Sequence, residues 1–283
     1  MKLSSLPRLM RIENCAMALI AVAIGFIVAG GLFYGDASNW SFCLRCPALG
    51  IIFAAFAVFL ITGAGNAIND YYDRDTDAKN SPHRPIPQGD ISARAAFYFA
   101  MSLFIIGIVA SAFASFPCLC LASFNSFVLF FYARNLKSTV FWGNLSVSYL
   151  TASTFVYGAL VLGSPIATFY MASLAFFANM GREVIGDIED IVGDKKSGIT
   201  TFATKFGDAK SWALGRVFII LAVLLSPLPY LSGIFGLNYL IVVCVADALF
   251  IASVITKSAR LNQKLTKIGI FAGLIAFLVG ALL

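Results

Sequence analysis

Long runs of apolar residues alternate with short polar segments along the whole 283-residue chain. Nine of these runs approach the roughly 20 residues that a helix needs to cross the hydrocarbon core of a bilayer. Because lipid offers no hydrogen-bond partners, a spanning segment must satisfy its own backbone groups, which favours the α-helix. The pattern therefore predicts an all-α, polytopic membrane bundle of nine transmembrane helices that forms a single domain over residues 1–283. The predicted spans are 15–34, 47–68, 95–115, 117–133, 140–162, 166–180, 213–231, 237–256 and 268–283.

Composition supports the same class. Hydrophobic residues make up 60% of the chain and charged residues only 12%, whereas about a quarter of the residues in soluble domains are charged. A soluble globular protein is therefore excluded. The first apolar run lacks a clear small-residue cleavage pattern, so we expect it to stay as the first helix and not to be removed as a signal peptide.

The basic residues predict the orientation of the chain. When the predicted spans are threaded back and forth, Arg45 alone among the 20 Lys and Arg residues falls on one side. Cytoplasmic loops carry the excess of Lys and Arg, so we expect a multi-pass protein of the cell membrane whose N-terminus and acidic motifs are cytoplasmic. The net charge of +6 then reports topology and contact with anionic membrane lipids, and it predicts no nucleic-acid partner.

Carboxylates concentrate in two short segments, in a chain that has only 14 acidic residues. Residues at positions i, i+3 and i+7 share one face of a helix, and each segment carries three aspartates at this spacing. Stacked like charges repel, and ionisation is costlier still at the end of a lipid-buried helix unless a cation binds there. We therefore predict divalent metal at both stripes. The first stripe is Asp70, Asp73 and Asp77, and the second stripe is Asp187, Asp190 and Asp194.

The second stripe repeats the first after 117 residues. An even number of predicted spans separates the two stripes, which brings both to the same side of the membrane. We therefore expect an internal pseudo-repeat over about residues 47–162 and 166–283, with both stripes facing one central cavity. The alternative is that two acid-rich segments share this spacing by coincidence.

Each stripe lies in a polar segment that is too long for a simple turn. Residues 69–94 include the stretch 79–90, in which Pro82, Pro85 and Pro87 forbid a regular helix. Residues 182–216 contain glycines in place of these prolines. We expect both segments to form ordered lids over whatever the carboxylates hold.

The residue types in these segments indicate a site that binds Mg²⁺ together with phosphate groups. Mg²⁺ prefers oxygen ligands and commonly takes one or two carboxylates together with substrate phosphates and water. Asn69, Asp73 and Asp77 also share a helix face, which adds an amide oxygen to the first stripe. We therefore predict Mg²⁺ ions that hold a diphosphate; a solvated acidic helix end balanced by basic neighbours is the alternative. The basic side chains that we expect at the phosphate oxygens are Arg84, Lys137, Arg182, Lys195 and Lys196.

These residues resemble the UbiA superfamily of intramembrane prenyltransferases. The first motif of the family, NDxxDxxxD, matches residues 69–77 in full, and the second, DxxxD, matches residues 190–194. The family's RP(I/L)PSG segment is similar to residues 84–89. The family's YxxxK motif is matched more loosely, because Tyr132 and Lys137 stand one residue further apart. The resemblance covers essentially the whole chain.

The resemblance implies a transmembrane prenyltransferase whose helices surround a central cavity that is open to the bilayer. There a polyprenyl diphosphate would bind through Mg²⁺, which stabilises the charge on the leaving diphosphate, while the membrane interior keeps water away. Asp70 and Asp187 would bind metal or support its ligands, and Asn14 and Tyr132 are weaker candidates for substrate contact. The implied metal ligands are Asn69, Asp73, Asp77, Asp190 and Asp194.

Two segments bear on the acceptor. Residues 182–190 and 11–15 look most like the archaeal ether-lipid branch of the superfamily. They favour transfer of a geranylgeranyl group to a lipid-like acceptor, geranylgeranylglyceryl phosphate. An aromatic quinone precursor is the alternative acceptor. An ion-coupled membrane transporter is a more distant alternative, because a transporter would place its ionisable residues near the membrane midplane.

Three further residues carry predictions. Asp247 lies inside the eighth predicted span, where an acid is a candidate functional residue; we expect it to make a hydrogen bond between helices, with a substrate contact as the alternative. Cys43 and Cys46 lie in the loop opposite the stripes. Their spacing is compatible with a disulfide, a zinc site or unpaired thiols.

Overall fold

The computed structural model describes residues 3–31, 47–163 and 165–282. Within these ranges the chain is helical and contains no β-strand, so the all-α prediction is confirmed. The helices of the N-terminal half are α1 (Leu6–Met10), α2 (Ile12–Phe26), α3 (Pro47–Asn80), α4 (Ala93–Ala114) and α5 (Phe116–Arg134). The helices that follow are α6 (Trp142–Leu160), α7 (Thr168–Ser197), α8 (Phe202–Phe206), α9 (Asp208–Leu225), α10 (Leu228–Leu231), α11 (Leu237–Ile255) and α12 (Ala259–Leu282).

Seven helices in the described part of the chain are long and apolar enough to cross a membrane. They coincide with seven of the predicted spans. The fifth and sixth predicted spans are also helical, as α6 and the first part of α7, but serines, threonines and charged residues make these helices less apolar. The count of nine crossings therefore stays a prediction. Cys43, Cys46 and the end of the first predicted span lie outside the described residues.

The two helices that carry the acidic stripes are longer than a bilayer requires. α3 has 34 residues and α7 has 30 residues, whereas roughly 20 residues, each rising about 1.5 Å, cross the hydrocarbon core. The C-terminal part of each helix therefore continues beyond its apolar run, and this part carries the aspartates. The predicted helical spacing of both stripes is confirmed.

The polar segments around the stripes differ from each other. The first predicted lid, residues 69–94, is shorter than predicted because α3 continues to Asn80 and α4 begins at Ala93; residues 81–92 between these helices form successive hydrogen-bonded turns, as the prolines predict. The prediction of a second lid over residues 182–216 is wrong in its extent, because α7 continues to Ser197 and α9 begins at Asp208. A glycine inside a helix, such as Gly193, costs only about 1 kcal/mol relative to alanine, which a long helix tolerates.

The chain divides into two compact units. Unit 1 comprises Met1–Asn135 and Val156–Pro165, and unit 2 comprises Leu136–Phe155 and Ile166–Leu283. The predicted pseudo-repeat over 47–162 and 166–283 stays a prediction.

Small residues allow close helix packing in unit 1. Ala57 and Ala64 of α3 are fully buried. Gly107 of α4 approaches α3 so closely that a Cβ at this position would lie 3.1 Å from the Ala57 carbonyl oxygen and 2.7 Å from the Ile61 side chain. Helices in lipid associate through such van der Waals contacts, because lipid tails supply no hydrophobic drive between them. α4 thereby fixes the helix that carries the first stripe.

Small residues also allow close helix packing in unit 2, where α7 contacts α9. A Cβ on Gly181 would lie 2.7 Å from the Gly215 carbonyl oxygen, and a Cβ on Gly215 would lie 3.0 Å from the Gly181 carbonyl oxygen. Ile185 and Ile219 are fully buried beside these glycines. The contact lies just before the second stripe along α7, so it fixes the start of the stripe-bearing segment.

Asp247 makes the hydrogen bond between helices that its position predicts. The Ser226 hydroxyl, at the end of α9, donates to Asp247 Oδ2 of α11 at 2.6 Å. The Tyr239 hydroxyl donates to the Ser226 carbonyl oxygen at 2.7 Å. Pro227 and Pro229 follow the end of α9, and a proline has no N–H to continue the helical hydrogen bonds. The Ser226 carbonyl oxygen accepts from the Tyr239 hydroxyl instead.

Gly158 provides a test of the packing in unit 1. A Cβ at position 158 would lie 2.0 Å from the Val22 carbonyl oxygen and 2.9 Å from the Phe26 backbone nitrogen. We expect Gly158→Ala to lower the free energy of unfolding by about 1–3 kcal/mol or more, because the backbone of α2 would have to move. The melting temperature of the detergent-solubilised protein measures this loss. Gly273→Ala is the control, since nothing lies within 4 Å of its added Cβ; equal melting temperatures for both variants would contradict the packing.

Candidate active site

Arginines neutralise the buried part of the first stripe. Asp70 and Asp77 are only 2% and 6% exposed. Arg84 Nη1 donates to Asp70 Oδ1 at 3.1 Å and to Asp77 Oδ2 at 2.6 Å. Arg11 Nη2 also donates to Asp70 Oδ1, at 2.6 Å. Because a buried carboxylate requires a counter-ion, these two guanidinium groups explain the burial. Arg84, predicted at a phosphate, contacts the carboxylates in this state.

Asn69 and Asp73 form the more accessible part of the first stripe. Asn69 Nδ2 donates to Asp73 Oδ2 at 2.8 Å, which their i, i+4 spacing allows. Asn69 Oδ1 is buried and has no hydrogen-bond partner among the described residues. Buried polar atoms are normally hydrogen-bonded, and an amide oxygen is a suitable ligand for a hard cation. Asp75, by contrast, points outward, with 88% of its side chain exposed.

The N-terminal segment holds the loop that carries Arg84. Arg8 Nη2 donates to Asp90 Oδ2 at 2.8 Å and to Gln88 Oε1 at 2.9 Å, and the Ser5 hydroxyl donates to Asp90 Oδ2 at 2.9 Å. The partners are 80 to 85 positions apart in the chain. No local sequence pattern predicts such contacts, and the sequence analysis did not identify them.

Arg11 is the most important site residue that the sequence analysis missed. It joins α1 to α2 with a φ of 50°, the single positive φ of a non-glycine residue in the described ranges. Asn14, three residues later, is exposed, and its Nδ2 lies 3.4 Å from Asn66 Oδ1. Asn66 in turn donates to the Met10 carbonyl oxygen at 2.8 Å. Asn14 therefore lies beside α3, and its substrate contact stays a prediction.

Asp187, the first aspartate of the second stripe, is held by a hydrogen bond from a neighbouring helix. Asn144 Nδ2 of α6 donates to Asp187 Oδ2 at 2.9 Å, and the nearby backbone N–H of Phe202 lowers the pKa of this carboxyl. Burial raises the pKa of Asp187 to about 7; the neighbouring charges of Glu183 and Asp194 raise this pKa too, and the hydrogen bonds lower it. A bound cation would favour the ionised form. Asn144 is not among the predicted site residues; the available signal was an amide side chain near the start of the fifth predicted span.

The far end of the second stripe is only partly buried. Burial raises the pKa of Asp194, and so does the charge of Asp190, whereas a hydrogen bond from Thr201 and the charge of Lys137 lower it. Lys137 thus lies close enough to attract a stripe carboxylate. Asp190 is exposed.

Arg182 belongs to a polar network that runs along α7. Its guanidinium pairs with Glu183 and donates to Asn179 Oδ1 at 3.2 and 3.3 Å. Gln263 Oε1 lies 3.5 Å away. Asn179 is buried, and its Nδ2 donates to the Ser148 hydroxyl at 3.3 Å. The network extends from the stripe toward the apolar part of α7.

Three predicted contact residues stay untested. Lys195 is exposed and Tyr132 is half-buried. The side chain of Lys196 lies outside the description. Their contacts with substrate stay predictions.

The donor sets suit a metal that shares its ligands with a substrate. The described residues contain no group of three or more His, Cys, Asp or Glu side chains arranged to hold a metal ion. Mg²⁺ often binds through one or two carboxylates while substrate phosphates and waters complete its shell. The buried oxygen of Asn69 beside Asp73 matches that requirement.

Two membrane-length helices extend into carboxylate stripes, and arginines lie among the carboxylates of the first stripe. Carboxylates that bind Mg²⁺ together with phosphates, beside basic side chains, suit an intramembrane enzyme with a phosphorylated substrate. The family model described as the UbiA prenyltransferase family matches residues 18–271. The chain belongs to this family. It is a multi-pass membrane protein and a prenyltransferase.

The chain is similar over nearly its full length to proteins of known name. It is 43% identical over 279 residues to a digeranylgeranylglyceryl phosphate synthase of Methanococcoides burtonii, covering 96% of this chain and 98% of that protein. A solved structure presented as structural and mechanistic insights into digeranylgeranylglyceryl phosphate synthase in membranes is 32% identical, with a TM-score of 0.82 and coverage of 99% and 98%. A UbiA homolog from Archaeoglobus fulgidus bound to GPP and Mg²⁺ shares the fold, with a TM-score of 0.64 at 16% identity and coverage of 97% and 100%.

Proposed function

We propose that the protein transfers a geranylgeranyl group from geranylgeranyl diphosphate to geranylgeranylglyceryl phosphate in a Mg²⁺-dependent reaction. The observation that carries the proposal is the pair of carboxylate stripes at the ends of α3 and α7. The name of the full-length relative, digeranylgeranylglyceryl phosphate synthase, supports the choice of acceptor.

Each stripe contributes ligands for Mg²⁺ in this proposal. The unpartnered oxygen of Asn69 supports the assignment of the first stripe, and the UbiA homolog solved with GPP and Mg²⁺ supports a divalent ion. Bound Mg²⁺ would neutralise the charge that develops on the diphosphate as the allylic bond breaks. Asp70 and Asp187 either join the ligands or orient them. The ligands that we assign are Asn69, Asp73, Asp77, Asp190 and Asp194.

The basic side chains bind the phosphate oxygens that the metal leaves exposed. The allylic C–O bond breaks and its electron pair leaves with the diphosphate. The acceptor hydroxyl oxygen then bonds to the allylic carbon, its proton is released, and an ether forms. Fixed cations lower the free energy of this charge separation because they need no reorganisation during the reaction. The residues assigned to this role are Arg84, Lys137, Arg182, Lys195 and Lys196.

The membrane supplies the dry environment that an allylic cation needs. We propose that the chain crosses the bilayer nine times around a cavity open to lipid, that residues 47–162 and 166–283 are pseudo-repeats, and that both stripes are cytoplasmic. The bias of Lys and Arg to one side supports this orientation. Large exposed apolar side chains, such as Ile105 of α4 and Ile241 of α11, support contact of these helices with lipid.

The test is a transfer assay with a panel of acceptors. Purified protein in nanodiscs receives radiolabelled geranylgeranyl diphosphate, Mg²⁺, and either geranylgeranylglyceryl phosphate or an aromatic quinone precursor. We expect a labelled ether product with the first acceptor only, and no product after chelation with EDTA. Product with the aromatic acceptor alone would replace the proposed acceptor. No product with any acceptor, together with ion flux in proteoliposomes, would support the transporter alternative.

A further inference from the structure

Four side chains of unit 1 form a linear chain of ion pairs. Arg11 and Arg84 both donate to Asp70 Oδ1, at 2.6 and 3.1 Å. Arg84 uses the same nitrogen, Nη1, to contact Asp77 Oδ2 at 2.6 Å. Two cations thus balance two carboxylates. In this state Arg84, which is predicted to bind phosphate, forms ion pairs with Asp70 and Asp77, which are predicted to bind metal.

The burial of these side chains indicates which ion pair can break. Only 3% of the Asp70 side chain is exposed, against 33% for Arg11 and 28% for Arg84. Removing the only counter-ion of a buried carboxylate is strongly unfavourable. Because Asp70 has two counter-ions, it would still be paired with Arg11 if Arg84 moved away. Arg84 can therefore leave Asp70 without removing its last counter-ion, but Asp77, whose side chain is only 9% exposed, then needs another cation in place of Arg84.

Arg11 is suited to be the permanent partner of Asp70 because its backbone is fixed. Its positive φ is unfavourable for an L-residue, and such conformations persist where the surrounding structure over-determines them. Its N–H donates to the Arg8 carbonyl oxygen at 3.2 Å. The Arg8 side chain in turn binds Asp90. The N-terminal segment is thus tied to the same loop that carries Arg84.

We propose that Arg11 is a positioning residue that keeps Asp70 paired, so that Arg84 can leave Asp77 for the diphosphate while Asp77 accepts a divalent cation. This inference rests on the proposed function and adds to it a role for Arg11 and an exchange of partners by Arg84. A cation alone must break the pair between Arg84 and Asp77, and so must an anion alone. When both bind, the pair is broken once, so the binding of each ligand strengthens the binding of the other.

The test measures Mn²⁺ binding to the full chain in nanodiscs, from the electron paramagnetic resonance signal of free Mn²⁺. Titrations are made with and without geranylgeranyl thiodiphosphate, a donor analogue that resists cleavage. For the wild type we expect the analogue to tighten Mn²⁺ binding by roughly 5- to 150-fold, the usual range of coupling between sites. Arg84→Gln should bind Mn²⁺ alone more tightly than the wild type, and the coupling should fall to the part that direct coordination of the diphosphate by the metal supplies.

Arg11→Gln should weaken binding of the thiodiphosphate in the presence of Mn²⁺ by about tenfold or more. Without Arg11, Arg84 would be the one remaining counter-ion of Asp70 in the chain of ion pairs, so its move to the diphosphate would leave a buried carboxylate unpaired. Arg11→Lys should restore most of this affinity, since it keeps the charge beside Asp70. Arg94→Gln is the control. It removes one positive charge from unit 1, but Arg94 is an exposed residue at the start of α4 and takes no part in the chain of ion pairs, so both affinities should stay at the wild-type values.

Two results would overturn the inference while leaving the proposed function intact. One is a coupling between Mn²⁺ and thiodiphosphate in Arg84→Gln that equals the wild-type coupling. The other is an equal loss of affinity in Arg94→Gln and Arg11→Gln, which would give Arg11 only a general electrostatic role. A wild-type protein that fails to bind thiodiphosphate in the presence of Mn²⁺ would overturn both the proposed function and the inference.

Discussion

Asp73→Ala is expected to lower Mg²⁺-dependent prenyl transfer by roughly 100-fold or more, the usual cost of removing one electrostatic stabiliser of a developing charge. The carboxylate lies beside the unpartnered oxygen of Asn69, so its removal takes one of two adjacent oxygen ligands from the metal. The side chain is only half-buried, and the protein should stay folded. The turnover number in the radiolabel assay and the melting temperature together measure this outcome.

Asp75→Ala is the matched control for this variant. Asp75 belongs to the same motif, and its substitution removes the same charge. Its side chain is exposed and lies 3.7 Å from Arg74. Exposed pairs of this kind contribute little to stability. We expect nearly wild-type turnover. Equal losses in Asp73→Ala and Asp75→Ala would show that only the total charge of the segment matters, and would contradict the assignment of Asp73.

Asp190→Ala is expected to cause a loss of similar size, roughly 100-fold or more, through the second stripe. Asp190 is exposed, and its charge raises the pKa of Asp194, so the two carboxylates lie within electrostatic reach of each other. Removing an exposed side chain should leave the melting temperature unchanged. Turnover measured over a range of Mg²⁺ concentrations checks the prediction, because a lost ligand should also shift the metal requirement upward.

Glu189→Ala provides the control for the second stripe. Glu189 is the exposed neighbour of Asp190 and lies about 100° away around the helix, outside the i, i+3, i+7 face. We expect it to keep wild-type turnover and metal dependence. Wild-type turnover in Asp190→Ala would remove the second stripe from the reaction.

The sequence alone predicts the features that depend on local spacing. Helix periodicity places Asp70, Asp73 and Asp77 on one face of α3, and the bond from Asn69 to Asp73 follows from the same periodicity. Hydropathy likewise locates the membrane helices, because every span must be apolar over a fixed length. The hydrogen bond of Asp247 follows from the cost of an acid within a span.

Contacts between distant segments could not be predicted in this way. Arg11 pairs with Asp70 across 59 positions, and Asn144 pairs with Asp187 across 43; neither pair has a local signature. The polar residues and glycines of residues 182–216 also predict a loop where α7 continues to Ser197. Helix α7 carries these residues within a continuous run of 30, which its packing against α9 supports.

The most direct test of the central claim is to locate the metal. Crystals grown with Mn²⁺ and geranylgeranyl thiodiphosphate would reveal each ion by its anomalous scattering. We predict Mn²⁺ within coordination distance of the Asn69 and Asp73 oxygens, and Mn²⁺ beside Asp190. Thiodiphosphate bound without manganese at either stripe would contradict the claim that these carboxylates hold the diphosphate through divalent metal.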